Sequence, residues 1–180
     1  MGKSLTNLIF KGPESELAMT ENSQPSIMAT SIAIFAALIE SGKIDEHSFH
    51  CVAGHSLGEY SALVANKSLL FRDSVELLKI RSKAMQESMP VGTGGMAAII
   101  GGTEDDIAAT ISDISSEGKV FIANDNAIGQ VVISGEMKAI DYIVENSKKL
   151  GLKKVIKLSV SAPFHLSLIH ISEPTRRYAI

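Results

Sequence analysis

The sequence predicts an α/β protein in two parts, and three observations carry that prediction. An apolar run at residues 49–53 passes through Gly54-His55-Ser56-Leu57-Gly58 into a segment of helical spacing, the pattern of a strand that turns abruptly into a helix. Long stretches before and after that turn repeat apolar residues at helical intervals. Beyond Pro90-Val91-Gly92-Thr93-Gly94-Gly95 the texture changes to short strands alternating with helices, so this glycine-rich stretch reads as a hinge into a second part.

In the first part, residues 5–10 form a short amphipathic helix stopped by Gly12-Pro13, and residues 14–19 a second one with acids in its first turn, as the helix dipole prefers. Pro25 is placed to open a strong helix over 26–40, which Ser41-Gly42 ends. Strand 49–53 and helix 57–65 follow, then a long helix over 68–89 with Asp73 near its start and Leu77, Ile80 and Met85 on an inward stripe. The second part runs strand 96–100, helix 103–115 capped by Thr103, strands 119–124 and 130–134, helix 136–149 and strand 153–158. That order, βαββαβ, is the ferredoxin-like signature. The expected division is therefore 1–90 for the first part, 91–158 for the subdomain, 159–165 for a segment leading back, and a tail from 166 to 180.

Composition narrows the function classes. With 180 residues, 45% hydrophobic and 21% charged, the chain can bury a core as one domain or two small ones. A net charge of -3 with dispersed lysines argues against nucleic acid. Cys51 is the only cysteine, which forbids an internal disulfide, points to a reducing, cytoplasmic setting, and suits packing better than reaction. The longest apolar run, 27–39, is interrupted by Thr30 and Ser31 and is short for a membrane span. Met-Gly-Lys-Ser-Leu-Thr satisfies the loose myristoylation pattern, yet no polybasic second anchor follows. The glycines of the hinge lack the Lys-Ser/Thr of a phosphate loop, and neither the histidines nor Glu104, Asp105 and Asp106 show metal-ligand spacing, so no metal is expected.

Chemistry concentrates at the sharp turn. A strand that bends at once into a helix forces strained angles on the residue at its tip, and glycines two positions to either side remove colliding side chains. Ser56 occupies that tip, with the free N–H groups of a helix start beside it, where a developing oxyanion is held. The motif alone is shared by nucleophiles and by plain structural turns. A serine hydroxyl also needs a base. Of the five histidines, His55 adjoins the serine but points another way at such a bend. His165 follows the whole subdomain on the segment expected to return.

Four motifs in order, Gly54-His55-Ser56-Leu57-Gly58-Glu59, "IRSKAMQ" about Arg81, "ANDNAIGQVVISG" and "SAPFH", make residues 5–165 resemble the malonyl-CoA:acyl carrier protein transacylases, acyltransferases of fatty acid synthesis. The resemblance implies an α/β-hydrolase-like core, here partial, with the ferredoxin-like subdomain inserted. It implies that Ser56 is the acyl-accepting nucleophile, His165 its general base, and the Leu57 N–H an oxyanion donor. Arg81 becomes the partner of the malonyl carboxylate, since a guanidinium offers two parallel donors to two oxygens; apart from the family it reads as a solvated helix residue. Gln24 and Asn126 become polar residues of the pocket, against plainer readings as a helix-start residue and a turn residue. Phe164 resembles the malonyl-selecting members, a ring that crowds an α-methyl branch by about 1–3 kcal/mol. Malonyl-CoA and acyl carrier protein are the implied partners, with coenzyme A thioester as substrate and no cofactor, and full-length members are expected to be monomeric.

The resemblance also implies truncation at both ends. The family's opening strand and its "GQGSQ"-type loop have Met1-Gly2-Lys3 in their place, and "LSLIHISEPTR", residues 166–176, resembles the translation of a transposase sequencing adaptor, a non-native tail. Two other functions stay open: a serine esterase or thioesterase that uses water as acceptor, which leaves Arg81 and the subdomain unexplained, and an inactive fragment that only binds partners.

Overall fold

The computed structural model describes residues 4–87, 90, 92–160 and 163–166. The expected tail beyond residue 166 lies outside them, as do Met1-Gly2-Lys3, Val91 of the hinge, and Ser161 and Ala162 of the last motif. The protein is α/β, and it divides into two compact units, one up to Ala84 and the other from Met85.

The first unit is helical. Helix α1 (Leu5–Lys11) is capped by Ser4, whose Oγ accepts from the Asn7 N–H at 3.4 Å, and it closes on Gly12 at φ 69°. Helix α2 (Glu14–Leu17) is one turn long and leads into α3 (Thr20–Glu40). α3 starts earlier than the proline suggested: Pro25 lies inside it rather than opening it. The carbonyl that loses its helical donor is that of Glu21, an exposed residue where water can replace it. The extra turn makes α3 a 21-residue helix, long and apolar enough by length and composition to cross a membrane. Its buried residues, however, include the polar Thr20, Gln24 and Ser26, and it packs on α1, α2 and α4 (Gly58–Ala65).

Two expectations for this unit fail. Residues 49–53 form no strand among the described residues, and Phe49, Val52 and Cys51 are exposed rather than buried. Phe49 does hold an extended backbone. A strand, though, is defined by a paired neighbour, and no described segment pairs here. In α5 (Phe71–Glu87) the inward stripe is also different: Leu77 and Ile80 are 42% and 67% exposed, while Ser74, Leu78 and Ser82 are buried. At about 100° per residue, Ser74, Leu78, Ser82 and Met85 share one face and Ile80 lies across the helix from them. Two small serines mark the buried face, and a count of hydrophobic residues passes over them.

The second unit holds one antiparallel sheet in the order β2-β3-β1-β4, built from β1 (Gly94–Ile100), β2 (Val120–Ala127), β3 (Gln130–Glu136) and β4 (Lys154–Lys157). Helix α6 (Glu104–Asp113) connects β1 to β2, and α7 (Met137–Asn146) connects β3 to β4. Period-two alternation sorts the central strands. Ala97, Ile99, Val131 and Ile133 face Ile107 of α6 and Ala139, Ile140 and Ile143 of α7 in one core. Met96, Ala98 and Val132 face the other way and are covered by Leu158, Val160 and Phe164. The chain after β4 thus runs back over the sheet, with the Leu158 N–H on the Met96 carbonyl at 2.9 Å. β1 begins earlier than expected because its two glycines are strand residues: a Cβ at Gly94 would overlap the Pro163 ring, and one at Gly95 would press on Met137.

Candidate active site

The backbone at Ser56 has φ 54°, a left-handed angle that a residue with a side chain adopts only where the surroundings impose it. What imposes it is visible one glycine away. A Cβ at Gly54 would overlap the carbonyl carbon and oxygen of Gly58 and the nitrogen of Glu59, so the two limbs of the turn touch backbone to backbone. Gly58 differs: nothing lies within 4 Å of a Cβ placed there, so among the described residues its lack of a side chain has no steric cause. Tight bonds then wind the chain into α4, from the Gly58 N–H to the His55 carbonyl at 2.8 Å and from the Tyr60 N–H to the Leu57 carbonyl at 3.0 Å. Leu57 caps α4 in helical conformation, at the end where N–H groups have no intrahelical acceptor.

Arg81 reaches this turn from α5. Its Nη2 donates to Ser56 Oγ at 3.0 Å and its Nη1 to Gln24 Oε1 at 2.5 Å. The guanidinium carbon stands 6.0 Å from the centre of the Tyr60 ring, within cation–π range. Burial holds the Arg81 pKa below its ordinary value, while Tyr60 and Glu59 pull it upward. A guanidinium gives up its proton only far above neutral pH, so the side chain remains a cation. It is half-buried rather than a solvated helix residue. Gln24 is likewise not at a helix start: it lies a full turn inside α3, 3% exposed, and its Nε2 donates to Thr20 Oγ1 at 2.7 Å. A polar chain therefore runs Thr20–Gln24–Arg81–Ser56 within the first unit. Sequence reasoning missed Thr20, although its four-residue spacing from Gln24 on one helix was the available signal.

The remaining candidates belong to the second unit. Asn126 is an exposed residue of β2 at a bulge, where the register slips between Asp125 and Ala127, and not a residue of the turn. Phe164 is partly buried, its N–H 3.3 Å from the Met96 sulfur. His165 follows it, exposed and also left-handed at φ 58°. Among the described residues no group of three or more histidine, cysteine or carboxylate side chains is suited to hold a metal.

Within an α/β protein, then, a serine stands at a strained turn into a helix with the Arg81 cation donating to its hydroxyl. The chain belongs to the acyl transferase domain family, whose pattern matches residues 1–177. It is 43% identical over 166 residues to the malonyl CoA-acyl carrier protein transacylase of Bacillus subtilis (strain 168), covering 92% of this chain and 51% of that protein. Among solved structures it resembles an acyl-carrier-protein S-malonyltransferase from Burkholderia pseudomallei 1710b, with a TM-score of 0.82, 43% identity, and coverage of 94% of this chain and 54% of that one. A malonyl-transacylase in complex with its type II PKS acyl-carrier protein aligns with a TM-score of 0.80 and 39% identity, over 92% of this chain and 52% of that one. The chain spans about half the length of these relatives.

Proposed function

We propose that these residues carry malonyl transfer from coenzyme A to the phosphopantetheine thiol of acyl carrier protein, through a malonyl ester on Ser56, in fatty acid synthesis. The observation that supports this most is the Arg81 Nη2 at 3.0 Å from Ser56 Oγ. In a malonyl thioester a single methylene separates the reacting carbonyl from the carboxylate. A cation that is to hold the carboxylate while the serine attacks the carbonyl must stand close beside the hydroxyl. A neutral acyl group leaves that cation unmatched, and a longer diacid places its carboxylate too far away. In the absence of substrate the guanidinium donates to the hydroxyl itself; an arriving carboxylate is the stronger acceptor and draws it off, leaving the oxygen to react.

In the reaction so proposed, His165 takes the Ser56 proton as Oγ forms its bond to the thioester carbonyl. The oxyanion is met by the Leu57 N–H, and collapse breaks the C–S bond, the coenzyme A sulfur receiving the proton from His165. The phosphopantetheine thiol then attacks the serine ester by the same steps in reverse order, returning Oγ–H. Gln24 fixes Arg81, Asn126 contributes a polar pocket residue, and Phe164 crowds out an α-methyl branch. No cofactor enters this scheme, and neither nucleic acid nor a membrane is a partner, α3 acting as a packing helix. The family scaffold behind this reading is an α/β-hydrolase-like core over residues 1–90 carrying a ferredoxin-like subdomain over 91–158, with 159–165 returning to the core. The βαββαβ order and the β2-β3-β1-β4 sheet support the second of these. The setting proposed is the cytoplasm and the full-length protein a monomer.

The test is incubation with radiolabelled malonyl-CoA followed by addition of phosphopantetheinylated acyl carrier protein. Label that moves from the chain to the carrier supports transfer. Label released as malonate at the same rate with or without carrier supports a thioesterase, and carrier binding without any label supports an inactive binding fragment.

A further inference from the structure

The chain of contacts behind Arg81 ends on a residue with no assigned part in the chemistry. Thr20 is 2% exposed, at the first position of α3, and its Oγ1 accepts a 2.7 Å hydrogen bond from Gln24 Nε2. An amide side chain has a donor end and an acceptor end of almost the same shape, and buried Gln24 meets Arg81 with one and Thr20 with the other. A guanidinium has donors only. If Gln24 were turned over, its NH₂ would face the Arg81 N–H groups, two donors opposed with no acceptor between them. The donor-only guanidinium therefore takes Oε1, and the Thr20 hydroxyl, able to accept as well as donate, holds the Nε2 end against α3. The amide anchored there keeps Oε1 2.5 Å from Arg81 Nη1, and that bond aims Nη2 at Ser56 Oγ.

We propose that Thr20 is a positioning residue for carboxylate recognition: it anchors the Gln24 amide against α3, and through it holds the direction of the Arg81 guanidinium beside the nucleophile. The inference rests on the reading of Arg81 as the malonyl carboxylate's partner, but its geometric half stands apart from any activity. The Thr20 hydroxyl is needed and its methyl group is not. Thr20→Val keeps the shape and removes the acceptor, and Thr20→Ser keeps the acceptor and removes the methyl.

The experiment uses the 180-residue chain, uniformly 15N-labelled, as wild type and as both variants, after circular dichroism has shown that each is folded. Two readouts are taken. The first is the NMR spectrum of the Arg81 guanidinium, assigned by its loss in Arg81→Lys, where slow rotation about the Cζ–Nη bonds reports fixed hydrogen bonds. The second is the rate of Ser56 loading from malonyl-CoA relative to acetyl-CoA. In wild type and Thr20→Ser the guanidinium signals are resolved and the malonyl-to-acetyl ratio agrees within twofold. In Thr20→Val the signals coalesce and the ratio falls about five- to tenfold, through malonyl loading alone. Resolved signals and an unchanged ratio in Thr20→Val overturn the proposal, and so does Thr20→Ser behaving as Thr20→Val. Should Thr20→Val not fold, Thr20→Ser with coalesced signals or a collapsed ratio overturns it by itself. A wild-type chain that loads no malonyl group counts against the transfer reading, and the NMR comparison then still decides the role of Thr20.

Discussion

Replacing each glycine of the sharp turn by alanine gives two variants with opposite expected outcomes. At Gly54 the new methyl falls on the carbonyl carbon and oxygen of Gly58 and on the nitrogen of Glu59, which are main-chain atoms at the start of α4. No rotamer change relieves such an overlap, so the first turn of α4 has to move. Overpacking of this kind costs about 1–3 kcal/mol or more. For a unit of this size each kcal/mol lowers the melting temperature by about 4–8 °C. At Gly58 the methyl meets nothing within 4 Å and joins a helix, where alanine outperforms glycine by up to about 1 kcal/mol. The two variants should therefore differ by about 1–4 kcal/mol in urea-melt stability. Gly54→Ala should also lose reactivity towards a fluorophosphonate probe at Ser56, because the strained tip shifts with α4. Equal stabilities, or a Gly58→Ala protein weaker than Gly54→Ala, would refute the view that the backbone contact at Gly54 sets the turn.

Three further predictions follow the same logic. Leu78→Ala, at a fully buried position of α5, should cost about 2–5 kcal/mol in a denaturant melt, whereas Ile80→Ala on the exposed side should cost less than about 0.5 kcal/mol; the reverse order would restore the stripe expected from hydrophobicity. Thr103 holds the Asp106 carboxyl below the usual carboxylate range through its hydroxyl and its N–H. Because the folded pKa is the depressed one, this stabilisation is present above the unfolded value of about 4 and is lost as pH falls through the folded value, so Asp106→Asn should flatten the acid limb of stability against pH. An unchanged acid limb would show that the capping box contributes nothing to it. Arg81→Ala should slow malonyl loading on the order of 10- to 100-fold, the worth of about 1.5–3 kcal/mol for bonds to a charged group, and leave acetyl loading within a few-fold. Equal losses for both acyl groups would remove the carboxylate role.

What was legible in the sequence depended on whether neighbours in the chain were also neighbours in space. The second unit was readable almost element by element, because β1 and β3 hold short apolar runs buried along nearly their whole length and Thr103 with Asp106 announces the start of α6. The turn at Ser56 was readable for the same reason: glycine, serine and the helix start all lie within five residues. Long-range arrangements were not. Nothing local says that Arg81 of α5 reaches Ser56, and only the resemblance to a family suggested it. Residues 49–53 were apolar enough for a strand, but pairing needs a partner that the local pattern does not contain. In α5 the apolar Leu77 and Ile80 outweighed Ser74 and Ser82, although small side chains permit close packing better than large ones. Thr20 was invisible because a buried threonine contributes no motif; its part emerges only from its bond to the Gln24 amide.

The central claim is that the Ser56 oxygen, next to the Arg81 cation, accepts the malonyl group. It is tested most directly by brief incubation of the chain with radiolabelled malonyl-CoA, acid quenching and tryptic mapping. The account predicts label on the peptide spanning 44–67, absent from Ser56→Ala and outcompeting an excess of acetyl-CoA. Label on any other peptide, or label that persists in Ser56→Ala, would contradict it.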